Sequence, residues 1–167
     1  MNSFFEKIFL AIQKRITQEV PEILWIDQDL GQLASDEYRR MIFPTMLIDF
    51  PTAPVEYMGQ NIKLVKPSIS ILLLFNNYSQ THHLAPQEVK EKGLEYLRIE
   101  QKVVNALQGW NEDYFTPLAH TNTQSRNNNE IGMRARELTF TTSYEDWSLE
   151  DDQYKNVTFN FSGEIML

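Results

Sequence analysis

The chain has 167 residues, of which 42% are hydrophobic and 23% charged, which is typical of a single folded domain and excludes wholesale disorder. A formal net charge of −8 makes nucleic-acid binding by charge neutralisation unfavourable. One explanation of this acidity is that it keeps the protein soluble. The other is a channel whose negatively charged wall lets DNA pass without adhering. Because the chain has no cysteine, disulfides, thiolate metal sites and a cysteine nucleophile are excluded.

The N-terminal half is predicted to contain one helix and several strands. Ser3 and Glu6 have capping-box spacing, and apolar residues follow at helical spacing as far as Pro21. A short strand is predicted at residues 23–26, followed by a loop with a short helix. Three further segments have the composition of strands: residues 43–51 between prolines, a weaker one at 55–65 with a turn near 58–61, and a central one at 68–75.

The second half is predicted to contain a helix and a long β-hairpin. Pro86 suits the first turn of the helix, and Gly109 is well placed to end it. The hairpin strands are predicted at residues 115–122 and 131–144, with a polar tip at 123–129. Such a tip cannot drive its own packing, so we expect it to reach toward a neighbouring subunit.

These elements predict an α+β fold in a single domain covering residues 1–147. It would consist of a mostly antiparallel, four- to five-stranded sheet with two helices packed on it and a protruding long hairpin. Residues 148–167 form an acidic break and a C-terminal extension. Val157, Phe159 and Phe161 alternate with polar residues there, which predicts an added strand in the chain's own sheet or in that of another subunit.

No sequence pattern indicates catalysis, a metal or a cofactor. His82 and His83 are adjacent, so their side chains would point to opposite sides of an extended chain, and no acidic residue has ligand spacing beside them. Asp27 and Asp29 lack the distal Glu of a calcium loop. Walker, dinucleotide-binding and nucleophile-elbow motifs are absent. We therefore expect a protein that is not an enzyme.

Charged residues near the hairpin are the better candidates for a contact site. Asp49 lies in an apolar strand, where a charge is costly unless it is exposed or paired. It is predicted either to lie at the exposed strand end or to pair with Arg134 or Arg136, within or between subunits. The predicted subunit interface comprises Asp49, Thr123, Gln124, Ser125, Arg126, Asn127, Asn128, Asn129, Arg134 and Arg136.

The order of elements resembles the tail-terminator or tail-completion proteins of long-tailed phages and prophages. The resemblance covers roughly residues 3–147: an opening helix, the strand at 43–50, the central strand, a helix ending in residues 106–109, and the hairpin. The segment at 148–167 fits this layout less well. The resemblance implies a homo-oligomeric ring, commonly a hexamer, and no catalytic residues.

The resemblance also implies a function and partners. Such a ring ends polymerisation of the tail tube at its head-proximal end, contacts tail-tube and head-connector proteins, and lets DNA pass through its lumen. We expect no membrane segment and no secretory signal, and a location in the cytoplasm of an infected or lysogenic bacterium and in the virion neck or tail. The alternative is a small soluble module that binds a ligand or peptide in an aromatic pocket, with Trp25, Trp110 and Trp147 as candidate lining residues.

Overall fold

The computed structural model describes residues 3–59, 61–127, 129 and 132–148. Its helices are α1 (Phe4–Glu19), α2 (Gln87–Gly93) and α3 (Glu95–Leu107), and two short 3-10 helices cover Gln32–Ala34 and Asp36–Arg40. The strands in the described residues are β1 (Trp25–Gln28), β2 (Thr45–Asp49), β3 (Val55–Gly59), β4 (Ile62–Val65), β5 (Ser68–Phe75), β6 (Ala119–Ser125), β7 (Arg134–Thr141) and β8 (Tyr144–Asp146).

The strands form two sheets. Sheet A has five strands in the order β1-β2-β5-β7-β6, with β1 parallel to β2 and the other neighbours antiparallel. Sheet B has three antiparallel strands in the order β3-β4-β8. The predicted α+β class and the mostly antiparallel sheet of up to five strands are confirmed. Sheet B was expected only in part, since β8 was predicted as the end of the long hairpin strand.

The main core lies between sheet A and the helices. Helix α1 buries Ile8, Ile12 and Ile16, which recur every fourth residue along one stripe. From the sheet, β5 contributes the alternate residues of its helix-facing side, and Leu138 and Phe140 of β7 complete this layer. Full burial of each such side chain contributes about 1.5–3 kcal/mol, so this layer is the main source of stability.

A smaller core covers part of the opposite face of sheet A. Leu47, Leu72 and Leu74 point to this side, because neighbouring residues of a strand alternate between faces. The side chains of Trp25, in β1, and Tyr38, in the second 3-10 helix, pack against them. The central strands are therefore apolar on both faces, which explains their near-continuous hydrophobic sequence.

The single helix predicted between Pro86 and Gly109 is divided at Leu94 into α2 and α3. The helical residues of the main core come from α1 and α3, which agrees with the predicted two helices packed on the sheet. Gly93 ends α2 against the 79–81 segment. A Cβ at this position would lie 2.5 Å from Thr81 Cγ2 and 2.8 Å from the Ser79 carbonyl oxygen, so no larger residue fits. The tight contact favours the end of α2 at Gly93, and α3 begins two residues later at Glu95.

Both hairpin strands begin later than predicted; β6 also ends later, whereas β7 ends earlier. Pro117 has no N–H to give to a ladder, and β6 begins two residues after it. The preceding Phe115 and Leu118 are buried in the main core as loop residues. At the other end, the Thr142 hydroxyl donates to the Thr116 carbonyl oxygen over 2.5 Å, which helps to turn the chain out of β7 and toward β8.

Candidate assembly surfaces

The polar stretch predicted as the hairpin tip lies partly in a strand. Thr123 and Ser125 belong to β6, where they pair with Leu138 and Arg136 of β7. The prediction that these residues lie in the tip is therefore wrong, because an outer strand can be polar along most of its length without showing hydrophobic alternation. The connection between the strands runs from Arg126 to Met133, and Asn128 lies outside the described residues.

The asparagines of the connection are used to build the turn. The Asn127 Oδ1 accepts from the Ala135 N–H over 2.9 Å. The Asn129 Nδ2 donates to the carbonyl oxygens of Arg126 and Met133 over 2.9 and 2.6 Å, and its Oδ1 accepts from the Met133 N–H over 2.9 Å. These side chains hold their own backbone, so few of their polar groups are left for a neighbour.

A polar cluster lies on the face of sheet A that points away from the helices. The Glu137 carboxylate accepts from the Ser70 hydroxyl over 2.9 Å, from Gln124 Nε2 over 2.8 Å, and from the Arg126 guanidinium. Burial raises the pKa of Glu137, but the hydrogen bonds from Arg126, Gln124 and Ser70 outweigh it and hold this pKa below its usual value. The predicted interface residues Gln124 and Arg126 therefore bind Glu137 within the chain.

Arg134 and Arg136 lie on the opposite, helix-facing side of β7. Arg136 forms a two-pronged ion pair with Glu100 of α3, at 2.5 Å from Nε to Oε2 and 3.1 Å from Nη2 to Oε1. The hydrogen bond to Glu100 raises the pKa of Arg136 against the opposing effect of burial. Arg134 donates to the Gly93 carbonyl oxygen over 2.8 Å and lies over the Tyr96 ring.

Both arginines therefore have partners within the chain, which sequence reasoning missed. Glu100 was not identified as the partner of Arg136, because a helical charge that meets a sheet gives no separate pattern in sequence. Its side chain is only 14% exposed, and that of Arg136 is 22% exposed. The ion pair joins α3 to β7, and Arg134 caps the end of α2.

The Asp49 side chain lies on the opposite face of sheet A from the side chains of Arg134 and Arg136. It is the exposed last residue of β2, opposite Ser70 in the register. It shares a face of β2 with Leu47, whereas Arg134 and Arg136 point to the helices. The structure therefore does not form the predicted pair within one subunit, and the prediction that Asp49 contributes to a subunit interface stays a prediction.

The most exposed apolar strand is one that sequence reasoning did not select. In β3, Val55 is 57% exposed, Tyr57 71% and Met58 56%. This strand pairs only with β4, so its other edge is open within the described residues. The available signal was three large apolar residues, Val55, Tyr57 and Met58, on a strand too weak to be central. An open, apolar strand edge is the feature that usually indicates a contact with another chain.

Two open clefts are the candidates for a ligand site. One, of about 400 Å³, lies at the end of β5 between Tyr78 and Tyr96. The other, of about 560 Å³, lies beside sheet B and is lined by Tyr114 and Trp147 among others. Burial, together with the nearby Glu112 carboxylate, raises the pKa of Tyr114 to about 12, so its hydroxyl stays neutral at physiological pH.

The three tryptophans proposed for one aromatic pocket lie in different places. Trp25 packs against the smaller core, Trp110 lies under Arg15 and against Phe115, and Trp147 is about half exposed after β8. The structure does not bring them together, so the pocket formed by these residues is a wrong prediction.

The histidines are also separate. His82 and His83 lie exposed in the segment before α2, while His120 contacts Thr123 in β6. Among the residues that the structure describes, no group of three or more His, Asp or Glu side chains is arranged to hold a metal ion. Within the same residues, no helix combines the length and the apolar character needed to cross a bilayer.

Comparison with known proteins yields a likeness of fold. No protein-family model matches the sequence, and no curated protein is similar to it. Among solved structures, a chain from the "virion of native gene transfer agent (GTA) particle" is similar to this chain, with a TM-score of 0.51 and 10% sequence identity. The match covers 83% of this chain and 95% of that chain, so it extends over nearly all of the virion chain.

Proposed function

We propose that this protein is a structural component of a phage-like virion. In this function it forms a homo-oligomeric ring, a hexamer by our expectation, at the head-proximal end of the tail tube. The ring ends polymerisation of the tube and joins the tail to the head, so its partners are tail-tube and head-connector proteins. DNA passes through the lumen without specific binding, and the protein is found in the virion neck or tail and in the bacterial cytoplasm before assembly.

One observation carries the proposal: the fold is similar to that of a chain in a gene transfer agent virion over 95% of that chain. The match covers 83% of this chain, so it is not confined to a single hairpin. The likeness is one of fold.

Two features of the surface support an assembly protein over an enzyme. The described side chains Gln124, Asn127 and Arg136 near the hairpin are taken up by hydrogen bonds to other side chains or to the backbone, so they serve to hold the fold. The outer strand β3, in contrast, exposes Val55, Tyr57 and Met58 on an open edge. An exposed apolar edge favours association with other chains over chemistry.

A tube-length experiment tests the proposal directly. The gene is deleted in a strain that produces the particle, and tails are measured by negative-stain electron microscopy. We expect tails of irregular, excessive length and heads without tails, with normal particles restored by supplying the gene in trans. Particles of normal length and yield in the deletion strain would contradict the proposal.

The size of the assembly is measured separately. We expect light scattering at increasing concentration to show a closed oligomer of the 19.6 kDa chain, and electron microscopy to show rings. A ligand-binding module is the alternative. It predicts a monomer that retains a small molecule in native mass spectrometry.

A further inference from the structure

The open edge of sheet B is suited to receive a strand. β3 is an outer strand of the order β3-β4-β8, and no described residue pairs with its other side. Its side chains at Val55, Tyr57 and Met58 are largely exposed. Proteins usually blunt such an edge with charge, proline or a covering segment, because it is a template for pairing with another chain.

The backbone of β3 presents its pairing groups at two of these apolar residues. The Lys66 N–H donates to the Pro54 carbonyl oxygen over 2.9 Å, and the register places Val55 opposite Val65 and Tyr57 opposite Lys63. Because hydrogen-bonded and non-hydrogen-bonded pairs alternate in an antiparallel ladder, the N–H and C=O groups of Val55 and Tyr57 point away from β4. The free edge therefore combines outward backbone groups with apolar side chains on a single face.

We propose that residues 157–161 of a second copy of this chain add to β3 as an antiparallel strand. Val157, Phe159 and Phe161 share one face of this segment, with Thr158 and Asn160 on the other. Aromatic and β-branched residues on adjacent strands pair favourably, which matches the valine and tyrosine of β3. The inference rests on the proposed function, since it supplies the contact that joins one copy of the ring to the next.

The position of the chain end suits a contact between two copies. The described chain ends at Ser148, just after β8, and β8 lies at the edge of sheet B opposite to β3. A donor segment at one edge and an acceptor at the other form a head-to-tail interface, the kind that closes into rings. Residues 149–156 lie between Ser148 and the segment, and at about 3.3 Å per residue they reach roughly 26 Å.

The test uses two full-length variants that damage opposite halves of the contact. Phe159→Ser with Phe161→Ser removes the apolar face of the donor segment. Tyr57→Pro removes an outward N–H of the acceptor, a substitution that an outer strand tolerates. Thr158→Ala with Asn160→Ala changes the other face of the segment and is the matched control. Association is measured by light scattering and native mass spectrometry, and each protein's thermal midpoint is recorded.

We expect each damaging variant to weaken self-association at least tenfold, and the control to change it less than twofold. Mixed together, the two variants should form a 1:1 heterodimer, because the mixture contains one intact donor and one intact acceptor. Variants that assemble like the wild type would overturn the inference and leave the proposed function standing. Monomeric variants that do not complement, with lowered thermal midpoints, would overturn it in favour of pairing within one copy. Failure of the proposed function itself appears in the tube-length experiment.

Discussion

The two hairpins of this protein use their side chains in opposite ways. The β6–β7 hairpin is polar, and its residues Asn127, Asn129 and Glu137 are taken up by hydrogen bonds within the chain. The β3–β4 hairpin is apolar at its outer strand, and Tyr57 there is 71% exposed. The polar side chains of the β6–β7 hairpin thus form their hydrogen bonds within the chain, whereas the β3–β4 hairpin leaves hydrophobic surface exposed to water.

The difference shows why polarity alone is a poor guide to an interface. A polar tip was expected to reach outward because it cannot pack by itself. Asparagine, however, is a short side chain that bonds readily to nearby backbone, so a polar turn can be complete without a partner. Exposed apolar surface has no such local remedy, and only burial against another surface removes it from water.

The ion pair beneath the β6–β7 hairpin gives the largest expected effect. Arg136→Glu places a second carboxylate beside Glu100 in a partly buried position, and we expect a loss of about 3 kcal/mol in the free energy of unfolding. Urea denaturation measures it. If this hairpin is held internally, the loss will occur in dilute monomer, before any assembly.

Arg39→Glu is the matched control for that substitution. Arg39 pairs with Asp36, but both side chains are highly exposed, so reversal should cost less than about 1 kcal/mol. Equal losses in the two variants would show that burial of the Arg136 pair does not matter. A second control, the exchange of Arg136 and Glu100, should recover part of the lost stability.

The turn of the polar hairpin gives a smaller effect. Asn129→Ala removes three hydrogen bonds that hold the connection between β6 and β7, and we expect a loss of about 1–2 kcal/mol. Amide hydrogen exchange should be faster at Met133, whose N–H loses its acceptor. Asn105→Ala, on the exposed face of α3, serves as control and should leave stability unchanged. Wild-type exchange at Met133 in the variant would argue that the turn does not depend on Asn129.

The pH dependence of stability tests the Glu137 cluster. The folded-state pKa of Glu137 is lowered, so its contribution is fully present above the unfolded value near 4.5 and is lost as pH falls toward the folded pKa. We expect wild-type stability to fall through this range and the fall to be shallower in Glu137→Gln. Urea titrations between pH 7 and 3 provide the measurement. Identical slopes in both proteins would remove Glu137 from the acid-sensitive groups.

The open strand gives the smallest effect on the monomer. Tyr57→Ser should change the unfolding free energy by less than about 0.5 kcal/mol, because the side chain is mostly exposed and has little to lose on unfolding. Dilute protein is used, so that association does not contribute. A loss above 2 kcal/mol would mean that Tyr57 packs inside the monomer, and the contrast between the two hairpins would disappear.

The main elements of the fold follow from sequence periodicity. Helix α1 repeats apolar residues at positions 8, 12 and 16, and β5 is apolar on both faces, so both were predictable from single segments. The strand β8 was not, because it has only three residues and follows β7 almost directly. The division of the second helix depends on contact between Gly93 and the 79–81 segment, which no local pattern records.

The site residues were harder to predict, because their roles depend on register. Arg134 and Arg136 are two residues apart and therefore share one face of a strand, but sequence does not state which layer that face meets. The partner of Arg136 is Glu100, 36 residues away along the chain. Residues 149–167 lie outside the described residues, so the predicted added strand stays a prediction, as does the predicted interface.

The outer strand of the larger sheet has an irregularity whose effect is protective. Between His120 and Asn122 the register of β6 against β7 shifts, and the strand is polar on either side of this shift. A strand from another chain would meet an interrupted repeat of backbone donors and acceptors there, without apolar side chains to hold it. Copies that do not pair along this sheet edge have fewer ways to associate. A molecule with few ways to associate forms assemblies of limited size instead of branched aggregates.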